Sequence, residues 1–272
     1  MTSVNAAASA FQAAWQTSTL SNDLTFNSYA ARLQRYSIFW AFFKNNAYSD
    51  VHTWAKEYRT QNKLYRHVRN IYNPARRLCT FWETALMGGT LDRDAGDGSA
   101  VKSALPIITD NERLRPALAR LWRDSNLQGA KEEYTLLGTV FGDVGWRVND
   151  DPLRRKVFLT PVHPQTLYDV VRDPVGNIRG YTIYEPRPDP RVETNPRQVW
   201  YVETAERDGE LVVYRTFLNN KPYAWNGESV EWEAPYGFVP MVVVKHSGIG
   251  AWGESEIEGN ESKIRECDDL AS

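Results

Sequence analysis

The sequence is poor in the features that mark secreted, membrane and zinc-binding proteins. Only two cysteines, Cys79 and Cys267, occur in 272 residues, which excludes a disulfide framework and a four-thiolate zinc site. The chain has no run of about 18 apolar residues, and its N-terminus has no basic segment followed by an apolar stretch. We therefore expect neither secretion nor membrane spanning, and the few cysteines fit a reducing cytoplasm.

Catalytic motifs are lacking as well. The chain has neither a Walker lysine loop nor a G-x-S-x-G nucleophile elbow. The histidines have no short spacing that would bring two of them to one metal. They are His52, His67, His163 and His246. The alternating carboxylates from Asp92 to Gly98 have no glycine at the sixth position of a calcium loop, and the twelfth position is Ser103 instead of Glu. The sequence predicts no enzyme, no metal and no cofactor.

One cofactor-like pattern remains, a formal G-x-G-x-x-G from Gly248 to Gly253 between a predicted strand and a predicted helix. In dinucleotide sites these glycines let the backbone approach a pyrophosphate. Here no second strand follows the helix, and the bulky Trp252 stands where a close approach is needed. We interpret the stretch as a flexible strand-to-helix connector, and nicotinamide or phosphate binding stays as an alternative.

Aromatic residues and separated charges are abundant. The chain contains 10 Trp, 14 Tyr and 10 Phe, and its net charge of −2 conceals an uneven distribution. Residues 1–130 carry a balance of +6, whereas residues 131–272 carry −8. Such an asymmetry favours parts that face different partners, or copies whose opposite patches meet in an assembly.

The period of the apolar residues changes near residue 141 and predicts an α+β fold. The pattern of the first half predicts helices. One is capped by Ser28, and a second begins at Asn73-Pro74. The predicted inner face of the second helix is Leu78, Phe81, Trp82 and Ala85. Two more are predicted at about 110–126, with Leu114, Leu118, Leu121 and Trp122 inward, and at 131–141. The second half reads as a mainly antiparallel region of strands at 142–148, 156–160, 166–171, 178–184, 199–203, 211–217 and 241–245. Hairpin turns are predicted at Pro174–Asn177, Asp208-Gly209 and Asn226-Gly227, and an exposed loop at Pro186–Pro196.

These patterns divide the chain into four predicted segments. They are a flexible N-terminal segment (1–27), a helical part (28–141), a β-rich part (142–247), and a glycine loop that leads into the start of a helix (248–272). Ser255 and Glu258 form a capping-box pattern for that last helix. Its predicted inner face is Ile257, Ile264, Cys267 and Leu270, and because no stop signal follows, we expect the chain to be a fragment.

A basic segment lies between Trp54 and Leu78, where the sequence contains seven cations and a single acid, Glu57. Such a run with interleaved tyrosines could contact phosphates, or it could form a solvated or subunit-facing helix surface. The candidate contact residues for DNA or for a neighbouring subunit are Lys63, Arg66, Arg69, Arg76 and Arg77.

Several passages, taken in order, resemble the portal proteins of tailed bacteriophages, over nearly the whole chain from Leu33 to Ser272. In the first half these are the run Arg66–Pro74, which leads into 78–89, and the stretch Leu136–Trp146. In the second half the passage Tyr236–Val244 looks like the family's Gly-Phe-x-Pro strand, and Gly253–Glu258, followed by a helix with Asp268, looks like its Gly-x-Ser-acidic loop.

The resemblance implies the wing region of a structural subunit in a dodecameric ring at one capsid vertex, with the stem, clip and crown of the family missing. The implied partners are other copies of the chain, the major capsid protein, the terminase large subunit, a neck or head-completion protein and, non-specifically, double-stranded DNA. The implied location is the virion, after assembly in the host cytoplasm. The alternative from the residues alone is a non-enzymatic nucleic-acid-binding module that uses the basic helix at 56–77.

Overall fold

The computed structural model describes residues 24–45, 73–87, 109–151, 153–225, 229–248 and 250–271. The helices are α1 (Leu24–Phe43), α2 (Pro74–Met87), α3 (Arg115–Asp124), α4 (Leu127–Phe141) and α5 (Glu261–Ala271). The strands are β1 (Asp143–Asp151), β2 (Lys156–Val162), β3 (Leu167–Arg172), β4 (Ile178–Pro188), β5 (Gln198–Asp208), β6 (Leu211–Leu218), β7 (Lys221–Pro222), β8 (Glu231–Ala234) and β9 (Met241–Lys245). The α+β prediction is confirmed, and no helix among the described residues is long and apolar enough to cross a membrane.

The chain forms two compact units that do not follow the linear order of the predicted segments. One unit combines Met1–Arg35 with Val162–Val242, and the other combines Tyr36–Pro161 with Val243–Ser272. The predicted boundary after Phe141 thus separates helical from β-rich sequence, but each compact unit contains both kinds of element.

The first unit is built on a six-stranded sheet in the order β3-β4-β5-β6-β7, with β8 paired to β6. Its pairs are antiparallel, and two predicted turns connect them: Gly176 has φ +97° and Gly209 has φ +61°. Positive φ values favour glycine because it has no Cβ, so both hairpins form where local turn chemistry places them. The third predicted turn, Asn226-Gly227, lies outside the described residues.

One face of this sheet buries a carboxylate among aromatic rings. Glu203 lies on β5 and is 5% exposed. Its Oε1 accepts a hydrogen bond from the Tyr181 hydroxyl at 2.7 Å, and its Oε2 accepts one from the Tyr201 hydroxyl at 2.5 Å. Because a buried charge is costly without such partners, the two tyrosines explain why a strand centre tolerates an acid.

The opposite face carries a ladder of aromatic rings from neighbouring strands. Tyr168 of β3 packs on Tyr184 of β4 at a centroid distance of 4.7 Å, and Trp200 of β5 follows at 6.5 Å. Helix α1 contributes Tyr29, whose ring lies 5.0 Å from that of Tyr168 and whose hydroxyl donates to the Gln165 carbonyl. Part of the high aromatic content therefore serves cross-strand packing.

His163 makes the stability of this unit depend on pH. It precedes a short 3₁₀ turn at Pro164–Thr166, and its Nδ1 accepts the Gln165 N–H at 3.2 Å, which requires a neutral ring. Burial lowers the pKa of His163 from 6.5 to about 4. Between these two values the unfolded chain binds a proton that the folded chain does not, so stability falls as the pH falls. We expect a loss of about 2 kcal/mol between pH of about 7.5 and about 5 from this group.

Urea unfolding at the two pH values measures this loss, and His163→Gln should remove most of it because the amide does not titrate. Equal losses in the wild type and the variant would contradict a buried neutral His163.

The second unit contains a three-stranded sheet in the order β2-β1-β9. Helix α4 packs on β1, where the rings of Tyr134 and Trp146 stack at 3.7 Å. The C-terminal half of α1 covers the end of α4, with Tyr36 edge-on to Phe141 at 5.2 Å. Helix α2 packs against α4 through its buried residues Ala75 and Cys79.

The two cysteines of this unit differ in reactivity. Cys79 is fully buried, and burial raises the pKa of its thiol to about 12, although a hydrogen bond with Thr139 acts in the opposite direction. Cys267 is exposed on α5. Because the thiolate is the reactive form, we expect a thiol reagent to titrate one cysteine in the native protein and both after denaturation. Fast reaction of both native thiols, or continued single labelling of Cys267→Ser, would contradict the burial of Cys79.

Several local predictions require correction. Helix α1 begins at Leu24, so Ser28 is not its cap, and residues 24–27 belong to the helix instead of a flexible segment. Helix α3 is shorter than predicted and buries none of its residues, and Leu114 is exposed. Strand β4 runs to Pro188, into the predicted exposed loop, and the short strands β7 and β8 were not predicted.

The last helix also begins later than the capping box predicts. Helix α5 starts at Glu261, and Ser255 bonds to other parts of the chain. On the predicted inner face, Ile257 and Ile264 are buried but Cys267 is exposed. The fourth member, Leu270, has a side chain outside the described residues.

Candidate functional site

The loop that carries part of the portal resemblance is locked into the end of helix α4. Gly142 ends α4 with φ +88°, and Gly253 lies directly against it. A Cβ on Gly253 would be 2.0 Å from the Gly142 carbonyl oxygen, and a Cβ on Gly142 would be 2.7 Å from the Gly253 backbone. Both positions therefore require glycine, because two backbone segments touch there. We call Gly142, Asp143, Gly253 and Ser255 together the glycine junction.

Asp143 and Ser255 satisfy the polar groups that this junction buries. Asp143 is fully buried, and its Oδ1 accepts the Gly253 N–H at 2.8 Å while its Oδ2 accepts the Tyr36 hydroxyl at 3.2 Å. The Ser255 hydroxyl donates to the Val140 carbonyl at 2.7 Å, which is one of the orphan carbonyls at a helix C-terminus. The Ser255 hydroxyl thus bonds to the C-terminal end of α4, and its oxygen accepts the Ile257 N–H at 3.1 Å, several residues before α5 starts at Glu261.

The contacts of Gly253 can be compared with those that a G-x-G-x-x-G dinucleotide site requires. A dinucleotide site uses its third glycine for close packing of a helix against a strand, and it offers backbone N–H groups to a pyrophosphate. In this chain the Gly253 N–H is taken by Asp143, and the space beside Gly253 is filled by Gly142. The stretch connects β9 to α5 as predicted, but Gly253 is fixed against Gly142 and Asp143 and is not a flexible link.

Next to the junction lies a polar pair. His246 follows strand β9, and its Nε2 is 2.5 Å from Glu256 Oε1. The Trp82 ring of α2 contacts the His246 ring edge-on at 5.6 Å. Among the residues that the structure describes, no group of three His, Cys, Asp or Glu side chains could hold a metal ion.

Of the five basic candidates, two can be placed. Lys63, Arg66 and Arg69 lie outside the described residues. Arg76 and Arg77 lie in the first turn of α2 and are exposed.

The predicted start of α2 is confirmed. Asn73 Oδ1 accepts the Arg76 N–H at 2.9 Å, and the Asn73 amide donates to the carbonyls of Phe42 and Phe43 at 3.3 and 3.0 Å. The cap therefore both starts α2 and ties it to the end of α1.

The predicted inner face of α2 is wrong. Leu78 is 41% and Phe81 63% exposed, and Ala85 is exposed as well, whereas Ala75 and Cys79 are buried and Trp82 is half-buried. The helix thus presents an outer face formed by Arg77, Leu78, Phe81 and Ala85, which lie on one side at a 3.6-residue period. Large apolar side chains in water beside a cation are typical of an interaction surface.

A second exposed surface was not predicted from the sequence. The register of β5, β6 and β8 places Glu206 opposite Val213, Val213 opposite Glu233, and Asp208 opposite Leu211. Because side chains alternate along a strand, these five lie on one face of the sheet at the end of the β5–β6 hairpin. The three acids are exposed and form no salt bridge with another described residue. The acid-x-acid spacing of Glu206 and Asp208 was a signal for this acidic sheet end, but β8 had to be known to complete it.

Comparisons with known proteins give no identification. No protein-family model matches the chain, and no curated protein matches its sequence.

Proposed function

We propose that this protein is a structural subunit of a bacteriophage portal ring at the capsid vertex, which forms the channel for DNA packaging and ejection. The observation that carries the proposal is the outer face of α2, where Leu78 and Phe81 are 41% and 63% exposed beside Arg77. A monomer would leave this apolar area in water, whereas contact with a neighbouring subunit would bury it.

Two further features support a structural role. A ring that closes by rotation needs two different complementary surfaces on each subunit, and the exposed surfaces of the described residues include one that is apolar and basic and one that is acidic. One of the two second-half passages that resemble portal proteins, Gly253–Glu258, forms a backbone-locking junction through Gly253 and Ser255. Such a junction holds two backbone segments together, which is a structural role and not a catalytic one.

In this role the chain acts as a platform. Its partners are further copies in a dodecameric ring, the major capsid protein, the terminase large subunit, a neck protein and, without sequence preference, double-stranded DNA. Its place is the virion, after assembly in the host cytoplasm.

The experiment is a measurement of mass in solution across a wide concentration range, combined with electron micrographs. It is performed on the purified protein. We expect a concentration-dependent oligomer and ring-shaped particles. A strict monomer at every concentration, with no rings in the micrographs, would contradict the proposal.

A second candidate function is nucleic-acid binding, which is favoured by the exposure of Arg76 and Arg77 on one helix turn. Neither forms a salt bridge with a described residue. Replacing both with Gln should weaken DNA binding and flatten its dependence on salt, because each lost phosphate contact removes about one released counterion. Unchanged affinity and an unchanged salt slope would exclude a contribution from these two residues.

A further inference from the structure

We propose that the outer face of α2 in one copy docks on the acidic sheet end of a second copy. This inference rests on the proposed ring and names the two surfaces that would meet in it. The outer face of α2 consists of Arg77, Leu78, Phe81 and Ala85, with Arg76 at its margin. The acidic sheet end consists of Glu206, Asp208, Leu211, Val213 and Glu233.

The two surfaces have the same layout with opposite charge. On the helix, Phe81 and Leu78 form an apolar centre, and the cation Arg77 lies one turn before Phe81. On the sheet, Val213 and the 36% exposed Leu211 form an apolar strip on β6. Carboxylates from β5 and β8 stand on both sides of this strip. An apolar centre with complementary charges at its margin is the usual composition of a specific interface.

The dimensions of the two surfaces also agree. Neighbouring strands lie about 4.8 Å apart, so Glu206 and Glu233 flank Val213 at a mutual separation of about 10 Å. A helix with its side chains is about 10 Å wide, so one helix covers the strip on β6. In that position Phe81 would contact Leu211 and Val213, while Arg76 and Arg77 would reach the flanking carboxylates.

The contact joins two different surfaces, so it is heterologous, and each subunit can both give a helix and receive one. Such head-to-tail contacts produce rings when the rotation closes. The second copy of this chain is favoured over DNA as the occupant because the apolar centre of the α2 face has no role against a phosphate backbone.

The first experiment disables one surface in each of two variants and then mixes the two variants. Phe81→Asp disables the helix face, and Leu211→Asp disables the sheet end. We expect the dissociation constant for self-association of each variant to rise at least about tenfold relative to wild type. The mixture keeps one intact helix face and one intact sheet end, so it should form a 1:1 dimer and nothing larger. Near-UV circular dichroism checks that both variants are folded.

The second experiment exchanges the charges. Arg77→Glu and Glu206→Lys should each weaken self-association at least about tenfold, and the double variant should recover to within about threefold of wild type. Arg179→Glu is the matched control, because this exposed arginine on β4 belongs to the opposite face of the sheet. It should leave assembly unchanged.

The outcomes distinguish this inference from the ring itself. Wild-type assembly that both aspartate variants retain, or a mixture that stays monomeric, overturns the proposed contact but leaves the ring. A wild-type protein that never assembles contradicts both. If Arg77→Glu weakens DNA binding while self-association is unchanged, the surface binds nucleic acid and the proposed contact is wrong.

Discussion

Gly253→Ala is expected to lower the free energy of unfolding of the second unit by about 3 to 5 kcal/mol. The added Cβ would lie 2.0 Å from the carbonyl oxygen of Gly142, so the two backbone segments must separate. Separation breaks the bond from the Gly253 N–H to Asp143 and leaves that buried carboxylate short of a donor. It also strains the bond from the His246 N–H to the Gly142 carbonyl.

The measurement is urea unfolding, combined with hydrogen exchange to locate the loss of protection in peptides from 127–151 and 243–271. The matched control is Gly250→Ala in the same glycine-rich stretch. Its Cβ would meet nothing closer than the Trp252 carbonyl at 3.5 Å. We expect that variant to stay within about 0.5 kcal/mol of wild type. Equal stability of the two variants would mean that Gly253 and Gly142 are not in close contact.

Arg32→Ala is expected to destabilise the first unit by about 3 kcal/mol. Arg32 is only 2% exposed, and its Nη2 donates to the carbonyls of Leu167 and Tyr168 at 2.5 and 3.1 Å. Its guanidinium also lies 5.4 Å from the centroid of the Tyr29 ring. The substitution therefore removes charge-assisted hydrogen bonds and leaves a cavity beside α1.

Hydrogen exchange should show the loss in peptides from 162–242, which contain the carbonyl groups to which Arg32 bonds. The matched control is Arg35→Ala on the same helix. Because the Arg35 side chain is exposed, its removal leaves no buried cavity, and we expect the free energy of unfolding to change by less than about 1 kcal/mol. A loss for Arg32→Ala as small as that of Arg35→Ala would show that the buried guanidinium contributes no net stability.

Local chemistry made parts of the fold predictable. Strand β9 has the predicted bounds, Met241–Lys245, because a short β-branched run between turn residues is a local signal. The turns at Gly176 and Gly209 and the cap at Asn73 were predicted for the same reason. In each case the deciding interactions lie within about four residues in the chain.

The face that α2 buries could not be predicted in this way. Its stripe of Leu78, Phe81 and Ala85 and its stripe of Ala75, Cys79 and Trp82 are both apolar, so periodicity alone does not choose between them. The structure buries Ala75 and Cys79 of the second stripe and half-buries Trp82, because small residues let α2 approach α4 closely, and Cys79 reaches Thr139 there. The candidate interface on the outer face of α2 follows from that choice.

The amino-acid sequence by itself determined the α+β class, the positions of most strands, and the local turns and caps. It also contained the passages that resemble portal proteins, but it did not show which contacts those passages make. Only the tertiary structure decided that Gly253 must be glycine, that the Ser255 hydroxyl bonds to the end of α4, and which acids join on one face of the sheet. Each of these depends on a partner far away in the chain, such as Gly142 for Gly253. Local residue preferences cannot encode such contacts, because the competition among buried surfaces selects them only when the whole unit folds.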